Sequence, residues 1–131
     1  MSDKRLISLS LFAVYLAAVA YLCFAKPDNV PQLPEFWFGL PADKIGHFLM
    51  FLPFPFLGFM AFNHTQTGIC RMIMLLAGIL AAGTAIAAST EHIQALLQYR
   101  TADMDDLIAD GIGLISGGCV TFVYIILKNR A

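Results

Sequence analysis

The chain has 131 residues, of which 59% are hydrophobic and 13% charged, and it carries a formal net charge of −1. Soluble domains carry about 25% charged residues, so this composition excludes an ordinary soluble domain and predicts a membrane protein with one domain over residues 1–131. A nucleic-acid-binding face needs a surplus of Lys and Arg, which this chain lacks, so we expect no nucleic acid among its partners.

Four hydrophobic segments predict four membrane-spanning helices. They cover approximately residues 6–25, 45–62, 69–90 and 106–127. The first follows Lys4 and Arg5, as the apolar part of a signal peptide would. Its apolar run is longer than the roughly 7–15 residues of such a peptide, so we expect a retained helix. In the second, Pro53 and Pro55 predict a bend or break, because proline cannot donate a helical hydrogen bond.

Small residues mark the last two segments as closely packed helices. The third is rich in Ala and Gly, and the fourth contains Gly113 and Gly117, a GxxxG pair typical of close helix contact. This contact can lie within the chain or between chains, so the spacing leaves oligomeric state open. The predicted fold is therefore all-α, a polytopic bundle of four transmembrane helices.

The remaining segments predict interfacial loops and an orientation. Residues 26–43 contain four prolines around Phe36, Trp37 and Phe38, which favours an aromatic anchor at the lipid headgroups over an aromatic ligand box. The side with both termini holds five Lys and Arg residues near helix ends, against three on the other side. We therefore expect a multi-pass protein of the bacterial inner membrane with both termini in the cytoplasm.

The three cysteines predict neither a disulfide framework nor a metal centre. Cys23, Cys70 and Cys119 lie inside or beside hydrophobic segments and lack metal-ligand spacing. We interpret them as packing residues and expect neither a metal ion nor a cofactor.

Polar residues gather at the ends of three segments that face one membrane surface. Charges at membrane depth are unfavourable unless they are paired or hydrated, so this pattern predicts a site. Spacings of three and four residues place the polar residues of each helix on one face. Asp110 lies about a turn deeper than the others and needs a partner, for which Arg100, Lys44 and His47 are candidates. The candidate site comprises Asp43, Lys44, His47, Glu91, Gln94, Arg100, Asp103, Asp106 and Asp110.

These motifs resemble the VanZ-like family, named after a teicoplanin-resistance protein. The family pattern is Asp-Lys-x-x-His-Phe, then Glu-x-x-Gln, an Arg, two Asp, an Asn and a Gly. The chain matches it from Asp43 to Phe48 and again from Glu91 to Gly113, except that Asp110 replaces the usual Asn. It also lacks the Pro-Gly often found before the Arg. The resemblance implies a small polytopic bacterial membrane protein, with no settled activity for the family as a whole.

Three functions remain open from the sequence. The site can bind an envelope lipid, glycan or glycopeptide, with Lys44, Arg100 and His47 contacting an anionic or sugar-bearing group, and so contribute to teicoplanin-type resistance. Alternatively, the protein is an intramembrane enzyme, because His47, Glu91, His92, Asp106 and Asp110 are the residue types of a metal site or of general acid/base pairs. A third hypothesis is a structural network that fixes helix packing. Membrane lipids are expected partners in every case.

Overall fold

The computed structural model describes residues 2–29, 34–63, 68–98 and 103–130. In these ranges the chain forms helices joined by short connections, with one small antiparallel hairpin. The elements are α1 (Asp3–Phe24), a 3-10 turn (Pro27–Asn29), β1 (Phe36–Trp37), β2 (Leu40–Pro41), α2 (Ala42–Phe51), α3 (Phe54–Phe62), α4 (Ile69–Leu96) and α5 (Met104–Arg130).

The described part of the chain contains four helical segments that are long and apolar enough to cross a membrane. These are α1, the α2–α3 pair, α4 and α5. The predicted all-α bundle of four transmembrane helices is therefore confirmed, and the protein is a membrane protein. Hydrophobicity placed the helix ends only approximately. For example, α1 begins at Asp3, where the Ser2 hydroxyl accepts a hydrogen bond from the Arg5 amide at 3.3 Å and caps the helix.

The end of α4 is the largest difference from the predicted boundaries. The helix continues to Leu96, six residues beyond the end of the hydrophobic run at residue 90. Polar residues at the membrane surface end a hydropathy pattern without ending a helix, and no Pro or Gly interrupts this stretch. Glu91 and Gln94 consequently lie on helical backbone, which fixes the directions of their side chains.

Proline divides the second span, as predicted. Helix α2 ends at Phe51 and α3 begins at Phe54, with Pro53 between them and Pro55 in the first turn of α3. The break lets another helix satisfy backbone groups near it: the Tyr15 hydroxyl of α1 donates a hydrogen bond to the Met50 carbonyl. The break thus bends the second span, and near it the Met50 carbonyl accepts a hydrogen bond that links α1 to α2.

Helix α5 lies at the centre of the bundle and packs against α2, α3 and α4, whereas α1 packs mainly against α3. The contact between α5 and α2 is close because Gly113 and Gly117 face the backbone of Phe48 and Leu52. The GxxxG pair therefore packs within the chain. This approach brings the polar ends of α2 and α5 together.

A two-residue turn forms the hairpin before α2, within the segment predicted to be an interfacial loop with an aromatic anchor. Phe36 pairs with Pro41 and Trp37 with Leu40. The turn residues Phe38 and Gly39 both have positive φ, 52° and 77°, as a type I′ turn requires. Phe38 is 94% exposed, so the hairpin presents an aromatic tip at the end of the bundle that carries the polar residues.

Candidate functional site

Lys44 lies among three carboxylates of the polar cluster. It stands in the first turn of α2, and its Nζ lies 2.5 Å from Asp106 Oδ1, 2.7 Å from Asp103 Oδ2 and 3.0 Å from Asp43 Oδ2. The side chain of Asp106 is 11% exposed, against 46% for Asp103 and 62% for Asp43. The buried pair between Lys44 and Asp106 is therefore the strongest of these interactions, because it is the least screened by solvent.

His47 lies one turn deeper and contacts two carboxylates of α5. Its Nδ1 is 2.8 Å from Asp110 Oδ1, and its Nε2 is 3.5 Å from Asp106 Oδ2. Of the candidate partners predicted for Asp110, His47 on the neighbouring helix is the one that makes this hydrogen bond. Asp110 is completely buried. This contact supplies the partner that a carboxyl group at this depth requires.

Glu91 of α4 joins the cluster through the start of α5. Its Oε2 accepts a hydrogen bond from the Asp103 amide at 3.2 Å. Asp103 in turn caps α5, since its Oδ1 accepts from the Asp105 amide at 2.9 Å. The other Glu91 oxygen, Oε1, is buried without a hydrogen-bond partner among the described residues. One carboxylate thus links α4 to α5 and keeps an acceptor oxygen available.

Among the described residues, one predicted site residue stands apart from this group. The Gln94 side chain donates from Nε2 to the Cys23 carbonyl at 2.8 Å, so it attaches the end of α4 to the end of α1. Arg100 lies outside the described residues. His92, which follows Glu91, is exposed and lies beside it at an opening between α4 and α5. The described cluster therefore comprises Asp43, Lys44, His47, Glu91, Asp103, Asp106 and Asp110.

Lys44 lowers the pKa of Asp103 below its usual value, chiefly through the direct hydrogen bond between the two side chains. Because the pKa is lower in the folded protein, this interaction adds stability above the unfolded-state pKa, and the contribution is lost as pH falls through the folded-state pKa. We expect the carboxyl carbon of Asp103 to titrate at lower pH than a model Asp in a ¹³C-NMR titration. In Lys44→Met the midpoint should rise, and an unchanged midpoint would assign the shift to the helix cap instead.

Two openings flank the cluster. A groove of about 540 Å³ runs between the hairpin, α2 and α5. Its wall is mostly apolar, with Lys44 and Asp105 as its charged residues; the lining residues are Leu40, Pro41, Lys44, Ile45, Phe48, Asp105, Ile108, Ala109 and Ile112. On the other side, a cleft of about 240 Å³ reaches Glu91 between α4 and α5. Sequence patterns missed the groove because hydrophobic residues that line it are indistinguishable from those that face lipid.

The geometry also brings together a set of potential metal ligands, whose residue types the sequence offered without showing which of them meet. One atom each from His47, Glu91 and Asp106 lies within 4.8 Å of the other two. Spacing along the chain could not reveal this set because its members come from three different helices. Chemically, the cluster offers hydrogen-bond acceptors, one lysine already surrounded by carboxylates, and this N/O ligand set.

Comparisons with known proteins agree with this architecture. The VanZ/LLP1 family model matches residues 11–127, which includes every residue of the described cluster. An uncharacterized protein of Schizosaccharomyces pombe is 29% identical over 105 residues, or 80% of this chain. The chain spans only 56% of the length of that relative. No solved structure matches the chain. The resemblance inferred from the motifs is confirmed, and the chain belongs to the VanZ/LLP1 family.

Proposed function

We propose that this membrane protein binds a lipid with a hydroxyl-rich headgroup, such as a glycolipid, in the groove between α2 and α5. The observation that supports this proposal most directly is the composition of the groove. An apolar wall of Ile45, Phe48, Ile108 and Ile112 leads to Lys44 and Asp105. An acyl chain fits the apolar wall, and the polar headgroup fits the end with Lys44 and Asp105, where the cluster begins.

The charge of the cluster selects among headgroups. Five carboxyl groups, those of Asp43, Glu91, Asp103, Asp106 and Asp110, surround one lysine and one histidine. An anionic headgroup would meet this surplus of acidic groups, and Lys44 already contacts three of them. Sugar hydroxyls instead donate hydrogen bonds to carboxylates. A neutral glycan headgroup therefore fits the described cluster better than a phosphate does.

The proposed orientation places this site outside the cytoplasm of a bacterial cell, with both termini inside. It rests on the excess of Lys and Arg on the side of the termini. The match in Schizosaccharomyces pombe means that similarity to this chain is not confined to bacteria. Reporter fusions at residue 130 and within residues 64–67 test the orientation: both should report a cytoplasmic location.

Filling the groove should weaken lipid binding. Ile112 lines the groove and is 52% exposed, so Ile112→Trp should block the acyl chain without disturbing the core. Ile115, on the same helix, is 68% exposed and does not line the groove, which makes Ile115→Trp a matched control. With a pyrene-labelled monoglucosyl diacylglycerol as probe and the full chain in detergent, we expect at least tenfold weaker binding for Ile112→Trp alone.

Two competing lipids test the headgroup. Unlabelled monoglucosyl diacylglycerol should displace the probe, and phosphatidylglycerol should do so at least tenfold less well. Equal competition would refute the preference for a glycan, and equal binding by both Trp variants would refute the groove as the binding site. Teicoplanin can be added as a third competitor, and displacement of the probe would connect the groove to glycopeptide resistance.

A further inference from the structure

We propose that His47, Glu91 and Asp106 form a binding site for a divalent transition-metal ion such as Zn²⁺. Each offers one ligand atom, and these three atoms lie within 4.8 Å of one another although they come from α2, α4 and α5. Imidazole nitrogen with carboxylate oxygen is a ligand set suited to Zn²⁺, Mn²⁺ and Fe²⁺. None of the three residues lines the lipid groove, although Glu91 and Asp106 belong to the acidic cluster at its polar end.

The hydrogen bond of His47 orients the ring for this role. Asp110 Oδ1 lies 2.8 Å from Nδ1, so a neutral ring with its proton on Nδ1 donates to the buried carboxylate and leaves the lone pair of Nε2 free. A carboxylate behind a histidine is the usual support for a metal ligand, because it fixes both tautomer and ring orientation. Asp110 would thus be a positioning residue.

Asp106 divides its two oxygens between different neighbours. Its Oδ1 contacts Lys44 at 2.5 Å, whereas its Oδ2 lies 3.5 Å from His47 Nε2. That separation is long for a hydrogen bond. It agrees with the spacing of two ligands around a tetrahedral Zn²⁺, which is roughly 3.4 Å for bonds of about 2.0–2.2 Å. His47 Nε2 and Asp106 Oδ2 are therefore already separated by the distance expected between two ligands of one ion.

The Glu91 carboxylate supplies a second observation that favours a bound cation. The residue is only 8% exposed, and its Oε1 is buried without a hydrogen-bond partner in the described part of the chain. A buried carboxylate oxygen in this state is unfavourable, and coordination of a cation would satisfy it. The cleft of about 240 Å³ that reaches Glu91 provides a path for an ion and for water. Three protein ligands leave one position of a tetrahedral ion open.

A direct titration of the purified full chain tests the proposal. After removal of metals with EDTA and dialysis, we expect calorimetry to find one Zn²⁺ per chain, and Co²⁺ to give visible absorption bands that Zn²⁺ abolishes. Glu91→Gln and His47→Gln should each weaken Zn²⁺ binding at least tenfold. Glu35→Gln is the matched control, because Glu35 is an exposed acid before the hairpin and should leave the affinity unchanged.

The unmodified protein decides the question even if a variant fails to fold. Absence of both saturable Zn²⁺ binding and Co²⁺ bands in the unmodified chain would overturn the proposal. So would a folded Glu91→Gln protein, judged by its circular dichroism melting curve in EDTA, that retained the original affinity. Loss of Zn²⁺ binding in this folded variant, with the affinity of the Glu35→Gln protein unchanged, would establish Glu91 as a ligand of the ion.

Discussion

Gly117→Ala is expected to destabilise the folded protein by about 1–3 kcal/mol, in the range measured for overpacked cores. A Cβ at this position would collide with the Leu52 backbone carbonyl and approach Pro55 Cδ to 3.0 Å. Backbone and proline ring cannot move aside as a flexible side chain can, so α5 would have to shift away from the break between α2 and α3. The free energy of unfolding in mixed detergent and SDS micelles measures the effect.

Gly111→Ala provides the control on the same helix. Among the described residues, no atom of another element lies within 4 Å of a Cβ built at Gly111, so this change adds helix propensity without a collision. Alanine favours a helix over glycine by about 1 kcal/mol, so we expect equal or slightly higher stability. Gly113→Ala should resemble Gly117→Ala, because its Cβ would lie 2.5 Å from the Phe48 carbonyl oxygen. If all three variants were equally stable, the close contact between α2 and α5 would be refuted.

Lys44→Met is expected to destabilise the protein by about 3 kcal/mol, near the lower end for breaking a buried ion pair. Methionine preserves most of the aliphatic volume but leaves the buried carboxylate of Asp106 without its cation. The lower end applies because the Lys44 side chain is 22% exposed and water can compensate in part. Asp43→Asn should change stability by less than about 0.5 kcal/mol, because this partner is exposed and the pair is weak.

A double variant separates charge from packing in this prediction. If the uncompensated charge causes the loss, adding Asp106→Asn to Lys44→Met should restore much of the stability, since a neutral amide no longer needs the cation. Additive losses would show instead that each side chain matters through packing. The same set of variants, assayed for binding of the labelled glycolipid, shows whether the cluster has a role beyond holding α2 against α5.

The sequence by itself determined the membrane class, the four spans and the break in the second. Each of these follows from local physics: apolar runs of membrane length partition into lipid, and Pro53 and Pro55 remove helical hydrogen bonds wherever they stand. The order and spacing of the polar residues also matched the VanZ-like family, and the VanZ/LLP1 family model over residues 11–127 confirms that match. The end of α4 was misplaced because surface polarity ends the hydrophobic pattern before it ends the helix.

Only the tertiary structure decided which polar residue meets which. Periodicity shows which face of a helix is polar, but the partner depends on the rotation and depth of the neighbouring helix. Here the close contact at Gly113 and Gly117 fixes the rotation and depth of α5 against α2. In this arrangement His47 contacts Asp110 and Lys44 contacts Asp106. The ligand set of His47, Glu91 and Asp106 arises in the same way. Its three atoms belong to three helices, so their proximity is a property of the packed bundle and of no local stretch of the chain.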